Sequence, residues 1–159
     1  MIYSSSCEYA IRALTYLATE QKEHEMRRKP EDPVYISIPI NLVADQEELP
    51  RHFLAKIMQT LARSGVLGSQ KGPKGGFSLA RPSDEITLYD IVEALDDLSN
   101  YNHCAVGLAE CNDEAPCPLH NMWVGVRTAV LDYFRRTTLV DLATAVEEKK
   151  AIRPTPSGE

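Results

Sequence analysis

The 159-residue sequence lacks any apolar run that approaches the roughly 18 residues needed to cross a bilayer. Its first residues, MIYSSSCEYAIRALTYLA, lack the basic region and the cleavage site of a secretory signal peptide. Aromatic residues make up 7% of the chain and charged residues 25%, which are ordinary fractions for a folded domain. We therefore expect a cytoplasmic protein with no membrane segment. In that reducing setting, clustered cysteines more often bind metal or do redox chemistry than form disulfides.

Charge of one sign is missing from two adjacent segments. The net charge of −6 argues against a nucleic-acid partner, but it hides the arrangement of the charges. From Arg51 to Arg81 there are six Lys or Arg residues and no Asp or Glu, whereas residues 82–117 contain nine Asp or Glu and no Lys or Arg. A local basic surface can bind phosphate whatever the total charge. The first segment is thus a candidate DNA-binding surface, and chance clustering of solvated charge is the alternative.

The N-terminal third of the sequence predicts one helix followed by a loop. Ser5 and Glu8 fit a capping box, and the apolar residues after them keep helical spacing on one stripe. Residues 20–33 are densely charged and contain two prolines, which predicts a mobile loop. Residues 34–38 alternate like a short strand. At the other end of the chain, residues 147–159 have the composition of a flexible tail.

Two more helices are predicted before the first glycine-rich turn. Pro39 suits the first turn of a short helix that ends near Glu47, and Pro50 begins a second helix. Gly65 is expected to end that second helix in left-handed geometry. Opposite its apolar side, this helix carries only hydrogen-bond donors and cations. Such side chains can bind phosphates and the acceptor edges of guanine. The alternative is a polar face that only contacts solvent. The predicted DNA contacts on this helix are Arg51, His52, Lys56, Gln59 and Arg63.

The stretch VLGSQKGPKGGFSLARP predicts a basic hairpin. Residues 66–70 and 77–80 can pair as strands, and Lys71 and Lys74 project from the turn as further candidate DNA contacts. A nucleotide-binding phosphate loop would need a following helix, but a strand pattern follows here. Two helices and a basic hairpin are the layout of a winged helix, which places its recognition helix in the major groove of double-stranded DNA. We predict a mainly α fold with a small β-wing.

A second capping box, Thr87 with Asp90, predicts a short helix, and a helix of roughly 18 residues begins at Leu119. So long a helix on so small a domain is expected to bury its apolar side against a second copy, and packing across its own domain is the alternative. The predicted organisation is a winged helix-turn-helix domain (1–100), a cluster-binding loop (101–118), a dimerisation helix with a short C-terminal helix (119–146), and the tail.

Three of the four cysteines lie within fourteen residues, in CAVGLAECNDEAPCPLH. Cys104, Cys111 and Cys117 are separated by six and five residues, which is too wide for the short knuckles of structural zinc sites. Thiolates are soft ligands that suit iron–sulfur clusters. Reduced free thiols and structural zinc are the alternatives. Cys7 lies on the core stripe of its helix and is expected to be a buried small hydrophobe.

The sequence resembles the Rrf-two family of bacterial winged-helix regulators, which includes IscR-like, NsrR-like and RirA-like proteins. The resemblance is carried over about residues 1–145 by CEYAIRAL, PRHFLAKIMQTLARSGVL, KGPKGGFSLARP, ITLYDIVEALDD and the three cysteines. It implies a homodimer in which the first and the long helix cross between subunits, bound to a palindromic operator. It also implies that Cys104, Cys111 and Cys117 bind an iron–sulfur cluster that controls DNA affinity by sensing redox state, nitric oxide or iron supply. We favour a 2Fe–2S cluster, and 4Fe–4S is the alternative.

The resemblance implies two candidates for the fourth ligand. His120 follows Cys117 at the spacing of the IscR-like branch, whereas NsrR-like relatives place a carboxylate at the position of Glu8, which reaches the partner subunit's cluster. Each has an alternative role, a hydrogen bond for His120 and helix capping for Glu8. A thiol-based or zinc-stabilised regulator without a cluster is the second function considered. We expect no enzymatic activity and no small-molecule substrate, because no nucleophile–base pair or nucleotide loop stands out.

Overall fold

This computed structural model describes residues 2–73, 75–108 and 111–152. They form helices and one two-stranded sheet with their connections. A mainly α fold with a small β-wing is confirmed. The elements are α1 (Ser5–Arg27), α2 (Ile40–Gln46), α3 (Arg51–Arg63), β1 (Leu67–Gln70), β2 (Gly76–Leu79), α4 (Leu88–Leu95), a 3-10 turn (Leu98–Asn102), α5 (His120–Arg136) and α6 (Leu139–Ile152). Within the described residues, no helix combines the length and the apolar character needed to cross a membrane.

Helix α1 begins one residue earlier than predicted. Ser4, not Ser5, is the N-cap, and its side-chain oxygen accepts a hydrogen bond from the backbone N–H of Cys7 at 3.4 Å. The backbone N–H of Ser4 donates to a carboxylate oxygen of Asp96 at 2.8 Å. The cap therefore also attaches the start of α1 to the residue that follows α4.

Helix α1 also continues beyond its predicted end. It runs through the first eight residues of 20–33, so the prediction of a mobile loop across that whole range is wrong. The reason is that EQKEHEMR is made mostly of good helix formers, while both prolines lie beyond Arg27. Buried Gln21 then holds the returning chain, since its amide donates to the carbonyl of Val34 at 2.8 Å and accepts from the N–H of Ile36 at 3.0 Å.

The helix-turn-helix and wing follow the predicted order. Gly65 follows α3 with φ of 79°, which confirms the left-handed end. Strands β1 and β2 are antiparallel, with Leu67 opposite Leu79; β1 begins one residue later than predicted, and β2 begins and ends one residue earlier. The strand predicted for residues 34–38 is reduced to an isolated bridge, in which Ile38 exchanges two backbone hydrogen bonds of 2.9 Å with Phe77.

Two connected clusters of buried side chains hold the helices together. The main cluster joins α1, α2, α3, the wing and α6, and it includes the whole apolar side of α3. A second cluster surrounds Phe134 of α5 and brings it against Cys7 of α1 and Val92 of α4. The α3 side chains in the main cluster are Leu54, Ile57, Met58 and Leu61.

The C-terminal half positions two helices against this core. Thr87 and Asp90 form the predicted capping box, with reciprocal hydrogen bonds of 3.2 and 2.8 Å, and α4 follows. Helix α5 has 17 residues and begins at His120, one residue after its predicted start. Helix α6 extends to Ile152, so the first six residues of the predicted tail are helical, and residues 153–159 lie outside the described part of the chain.

Candidate DNA-binding surface and cysteine site

The predicted DNA contacts of α3 lie together on the exposed side of the helix. His52, Lys56, Gln59 and Arg63 are exposed, opposite the buried apolar side, because the helical period separates the two stripes. The guanidinium of Arg63 donates to the hydroxyl of Thr60 at 3.0 Å, one turn earlier on the same helix. This surface offers hydrogen-bond donors and positive charge from a rigid element, as major-groove recognition requires.

Arg51, the first residue of α3, differs from these four because it forms an ion pair. Its Nη2 lies 2.7 Å from a carboxylate oxygen of Asp45, near the end of α2. Asp45 was not among the predicted site residues. A carboxylate six residues before a candidate DNA-contacting arginine is the signal in the sequence that could have found it.

The wing tip carries Lys71, which is exposed, whereas Lys74 lies outside the described residues. The glycines of the turn are required by close backbone approaches. A Cβ atom on Gly75 would lie 2.3 Å from the carbonyl oxygen of Gln70, and one on Gly76 would lie 2.2 Å from that of Ile38. Gly75 and Gly76 therefore serve the packing of the hairpin.

Arg81 closes the acid-free segment but has a structural role. Its guanidinium pairs with Asp90 at 2.8 Å and donates to the carbonyl of Gly65 at 3.0 Å and to that of Glu85 at 3.1 Å. These bonds join the wing to the start of α4 and to the end of the recognition helix. Not all of the predicted basic segment is therefore available to DNA.

The first pair of cysteines in the CAVGLAECNDEAPCPLH segment is Cys104 with Cys117. The Cys104 thiol interacts with the backbone N–H groups of Val106, Leu108 and Gly107 and with the side chain of Cys117. The bond from Val106 contributes most, and together these bonds lower the pKa of Cys104 although burial of the thiol opposes them. Such N–H donors to sulfur favour the thiolate, which is the form that binds metal.

The second pair is Cys111 with His120. The sulfur of Cys111 lies 3.3 Å from Nδ1 of His120, and Nε2 of the same ring lies 2.8 Å from a carboxylate oxygen of Asp113. The imidazole is buried, whereas the Asp113 side chain is exposed. A carboxylate on the far nitrogen of a histidine is the arrangement that orients metal-ligating imidazoles.

These donors suit a metal cofactor chemically but stand as two separate pairs. In residues 2–73, 75–108 and 111–152, no three His, Cys, Asp or Glu side chains are grouped so that they could hold a metal ion. Three thiols and an imidazole are nevertheless a donor set that iron–sulfur centres use. Glu8 lies in the first turn of α1. Burial raises the pKa of Tyr3, and the negative charge of Glu8 adds to this effect. Cys7 is fully buried, as predicted, and burial raises its pKa to about 12.

Aromatic side chains attach the cysteine segment to α5. The indole N–H of Trp123 donates to the carbonyl of His103 at 2.9 Å, immediately before Cys104. The Trp123 ring stacks on Tyr101 with centroids 6.4 Å apart, and Tyr101 meets Phe134 edge-on at 6.2 Å. The start of the cysteine segment is therefore packed into the second core cluster.

The far side of α5 exposes large apolar residues at helical spacing. Met122, Val126 and Tyr133 expose 76, 53 and 46% of their surface. Their spacing of four and seven residues places them on one stripe of the helix. Contiguous exposed apolar surface of this kind is typical of an interface with another protein chain.

A helix-turn-helix with a basic recognition face and a hairpin wing defines the class of the molecule as a DNA-binding transcription regulator. The chain belongs to the Rrf2 family, the Rrf-two family of the sequence resemblance. The profile of that family, described as an iron-dependent transcriptional regulator, matches residues 3–145.

Two relatives and two solved structures agree with this assignment. The chain is 36% identical to a candidate HTH-type transcriptional regulator of Aquifex aeolicus, over 94% of this chain and 95% of the relative. It is 26% identical to the transcriptional regulator IscR of Cereibacter sphaeroides, over 99 and 93% of the two chains. The fold is similar to that of T. potens IscR (TM-score 0.66, 18% identity, 96 and 91% coverage). It is also similar to that of CymR, the global cysteine regulator of B. subtilis (TM-score 0.63, 24% identity, 89 and 95% coverage).

Proposed function

We propose that this chain is a cytoplasmic, homodimeric transcription regulator whose affinity for a palindromic operator is controlled by an iron–sulfur cluster. The observation that carries the proposal is the contact of Cys111 with the buried, carboxylate-bound imidazole of His120. The description of the family as iron-dependent and the relative named IscR support iron as the metal. We favour a 2Fe–2S cluster, with 4Fe–4S as the alternative.

Cys104, Cys111, Cys117 and His120 would hold the cluster, and Glu8 of the partner subunit competes with His120 for the fourth position. When bound, such a cluster supplies an iron centre that reacts with oxidants and nitric oxide and depends on iron supply. A nitrogen or oxygen ligand among three thiolates would leave one exchangeable position, which suits a sensor. The N–H donors around Cys104 and the Asp113 carboxylate would hold the donors ready for this purpose.

The cysteine segment is joined to the DNA-binding half by packed side chains. Trp123 and Tyr101 hold the residues before Cys104 against α5, and Phe134 of α5 packs in the same cluster as Val92 of α4. Helix α4 in turn contacts α3, the recognition helix. A change in order near Cys104 can therefore reach the recognition helix through contiguous contacts.

The apolar stripe of α5 supports the homodimer. Covering Met122, Val126 and Tyr133 with the same stripe of a second copy would bury surface that one chain leaves in water. A two-fold dimer would present two recognition helices to half-sites about 34 Å apart, so a small change in their spacing would alter operator affinity.

Anaerobic purification followed by visible absorbance, EPR and analysis of iron and sulfide tests the proposal. We expect a brown protein that contains both elements, and a colourless Cys111→Ala variant with altered operator affinity. Cys7→Ala is the matched control and should keep the colour, because Cys7 is buried in the core. An unchanged spectrum of Cys111→Ala would contradict the cluster assignment.

A thiol-based regulator is the second candidate function. The interaction of the Cys117 side chain with the Cys104 thiol, which helps to lower the pKa of Cys104, favours it, since two neighbouring thiols can form a disulfide. The fold is also that of CymR, which is named a cysteine regulator. Anaerobically purified protein without iron or sulfide, with thiols that oxidise reversibly, would favour this candidate, and zinc as the sole metal would favour a zinc-stabilised regulator.

A further inference from the structure

The ion pair between Asp45 and Arg51 joins the two helices of the helix-turn-helix. Nε of Arg51 donates to Oδ1 of Asp45 at 3.2 Å, and Nη2 donates to Oδ1 at 2.7 Å and to Oδ2 at 2.8 Å. Asp45 lies in the last turn of α2, and Arg51 is the first residue of α3. The pair therefore acts across the turn that sets the recognition helix.

This pair has a small role in stability. The Arg51 side chain is 58% exposed and that of Asp45 is 60% exposed. Ion pairs so open to water contribute little to the free energy of folding. Yet Asp45 adds a negative charge beside the exposed basic face of α3, where a carboxylate weakens attraction to phosphate. The consequence of the pair is more marked for DNA recognition than for folding.

Counting donors shows what Asp45 leaves available. A guanidinium has five N–H groups, and Asp45 engages the Nε and Nη2 atoms. The Nη1 atom, with two N–H groups, is the one these bonds leave for another acceptor. The carboxylate also offsets the charge of Arg51 and restricts its rotamers, so the remaining donors are held in a fixed direction.

We propose that Asp45 is a positioning residue that converts Arg51 from a general phosphate contact into a reader of one guanine in each half-site. The N-terminal residues of a recognition helix contact base edges, and guanine presents the acceptors N7 and O6 in the major groove. Fixing the direction of Nη1 favours an acceptor at one position. Offsetting the positive charge lowers affinity for DNA of any sequence. Sequence discrimination increases for both reasons. This inference rests on the DNA-binding function and is independent of the cluster.

The test begins with selection of duplexes from a random library by the wild-type protein, purified anaerobically. Affinities are then measured for the selected duplex, for duplexes with single guanine replacements, and for an unrelated duplex. The proteins compared are wild type, Asp45→Ala, Arg51→Ala and the double variant, matched in iron content. Glu23→Ala is the control, because Glu23 pairs with Arg27 on the exposed surface of α1, 3.5 Å away.

We expect Asp45→Ala to bind the unrelated duplex more tightly and to lose about 5- to 20-fold in the ratio of selected to unrelated affinity. One guanine replacement should cost wild type about 2- to 4-fold, because it changes one half-site whereas Asp45→Ala changes both subunits, and it should cost Asp45→Ala and Arg51→Ala little. The double variant should match Arg51→Ala in this ratio, since Asp45 acts through Arg51. Asp45→Asn should fall between wild type and Asp45→Ala, and Glu23→Ala should equal wild type.

An unchanged ratio in Asp45→Ala would overturn the proposal, as would losses that add in the double variant. Failure of wild type to enrich any sequence would overturn it together with the DNA-binding function, so the two failures are distinguishable. Thermal unfolding of each variant checks that the fold is intact, and the exposed pair should shift it little.

Discussion

Nδ1 of His120 faces the sulfur of Cys111 at 3.3 Å, while Asp113 holds the other nitrogen of the ring at 2.8 Å. The histidine is thus placed with one nitrogen toward a thiol and the other in a fixed hydrogen bond. This arrangement favours His120 over Glu8 of the partner subunit as the fourth ligand of a cluster.

His120→Ala is therefore expected to change the visible spectrum and to lower the iron content of anaerobically purified protein. Glu8→Gln, which preserves the size of the side chain, should leave both unchanged. The reverse pattern, with iron lost only in Glu8→Gln, would assign the role of fourth ligand to the Glu8 carboxylate.

Ser4→Ala should lower the free energy of unfolding by about 1 kcal/mol, because it removes the side-chain oxygen that caps α1. Ser5→Ala is the matched control one residue later, and it should be neutral or slightly stabilising, since alanine favours a helix. Urea unfolding at neutral pH measures both. A larger loss in Ser5→Ala would assign the cap to Ser5.

Asp96 should make stability depend on acid pH. Burial alone would raise the pKa of Asp96, but hydrogen bonds from Ser4 and from the Cys7 thiol outweigh it and lower the pKa below its ordinary value of 3.8. A lowered folded-state pKa means stabilisation that is fully present above pH 3.8 and is lost as the pH falls through the folded-state pKa.

Asp96→Asn should accordingly be less stable than wild type at neutral pH, and the difference should close as the pH falls below 3.8. Urea midpoints across this range test the expectation, with Asp84→Asn, an exposed aspartate, as the control for charge alone. A difference that stays constant with pH would assign the effect to packing.

Lys71→Ala and Arg63→Ala should weaken DNA binding and reduce its salt dependence. Each variant removes one phosphate-binding cation from each subunit of the proposed dimer, so the slope of log affinity against log salt should fall by about 1.8, which is about 0.9 for each cation. Lys22→Ala removes an equally exposed cation that pairs with Glu147, away from α3, and should leave the slope unchanged. An unaltered slope in both test variants would remove these residues from the interface.

Met122→Glu should convert the proposed homodimer to monomers, because it places a charge on the exposed apolar stripe of α5. Met26→Glu on α1 is a control of similar exposure, 71% against 76%, and should remain dimeric. Sedimentation of both variants distinguishes the outcomes. A dimeric Met122→Glu would show that another surface joins the subunits.

The predictions that the structure confirms depend on local chemistry. Gly65 ends α3 because the left-handed backbone conformation at this position favours glycine. Thr87 caps α4 because Asp90, its capping-box partner, lies three residues later. The predicted apolar side of α3 is buried because the helical period alone separates its two stripes.

The missed features depend on contacts between residues distant in sequence. Ser4 and Ser5 are the same residue type, so the sequence does not distinguish them as caps. The hydrogen bond to Asp96 is made by Ser4. The prediction of a loop at 20–33 was based on its charge. The hydrogen bonds of Gln21 to Val34 and Ile36 are contacts that the sequence does not show. Asp45 was overlooked because it lies with Glu47 and Glu48 in an acidic stretch, outside the acid-free segment, and the turn brings it to Arg51.

Trp123 is the one tryptophan of the sequence, and its indole N–H bonds to the carbonyl next to Cys104. Tryptophan fluorescence of each chain therefore originates at a single place, beside the cysteine segment and stacked on Tyr101. Excitation of tryptophan gives an optical probe of this segment without any label. Emission followed during iron loading or thiol oxidation would record when the residues before Cys104 change their environment, on the same sample used for DNA titration.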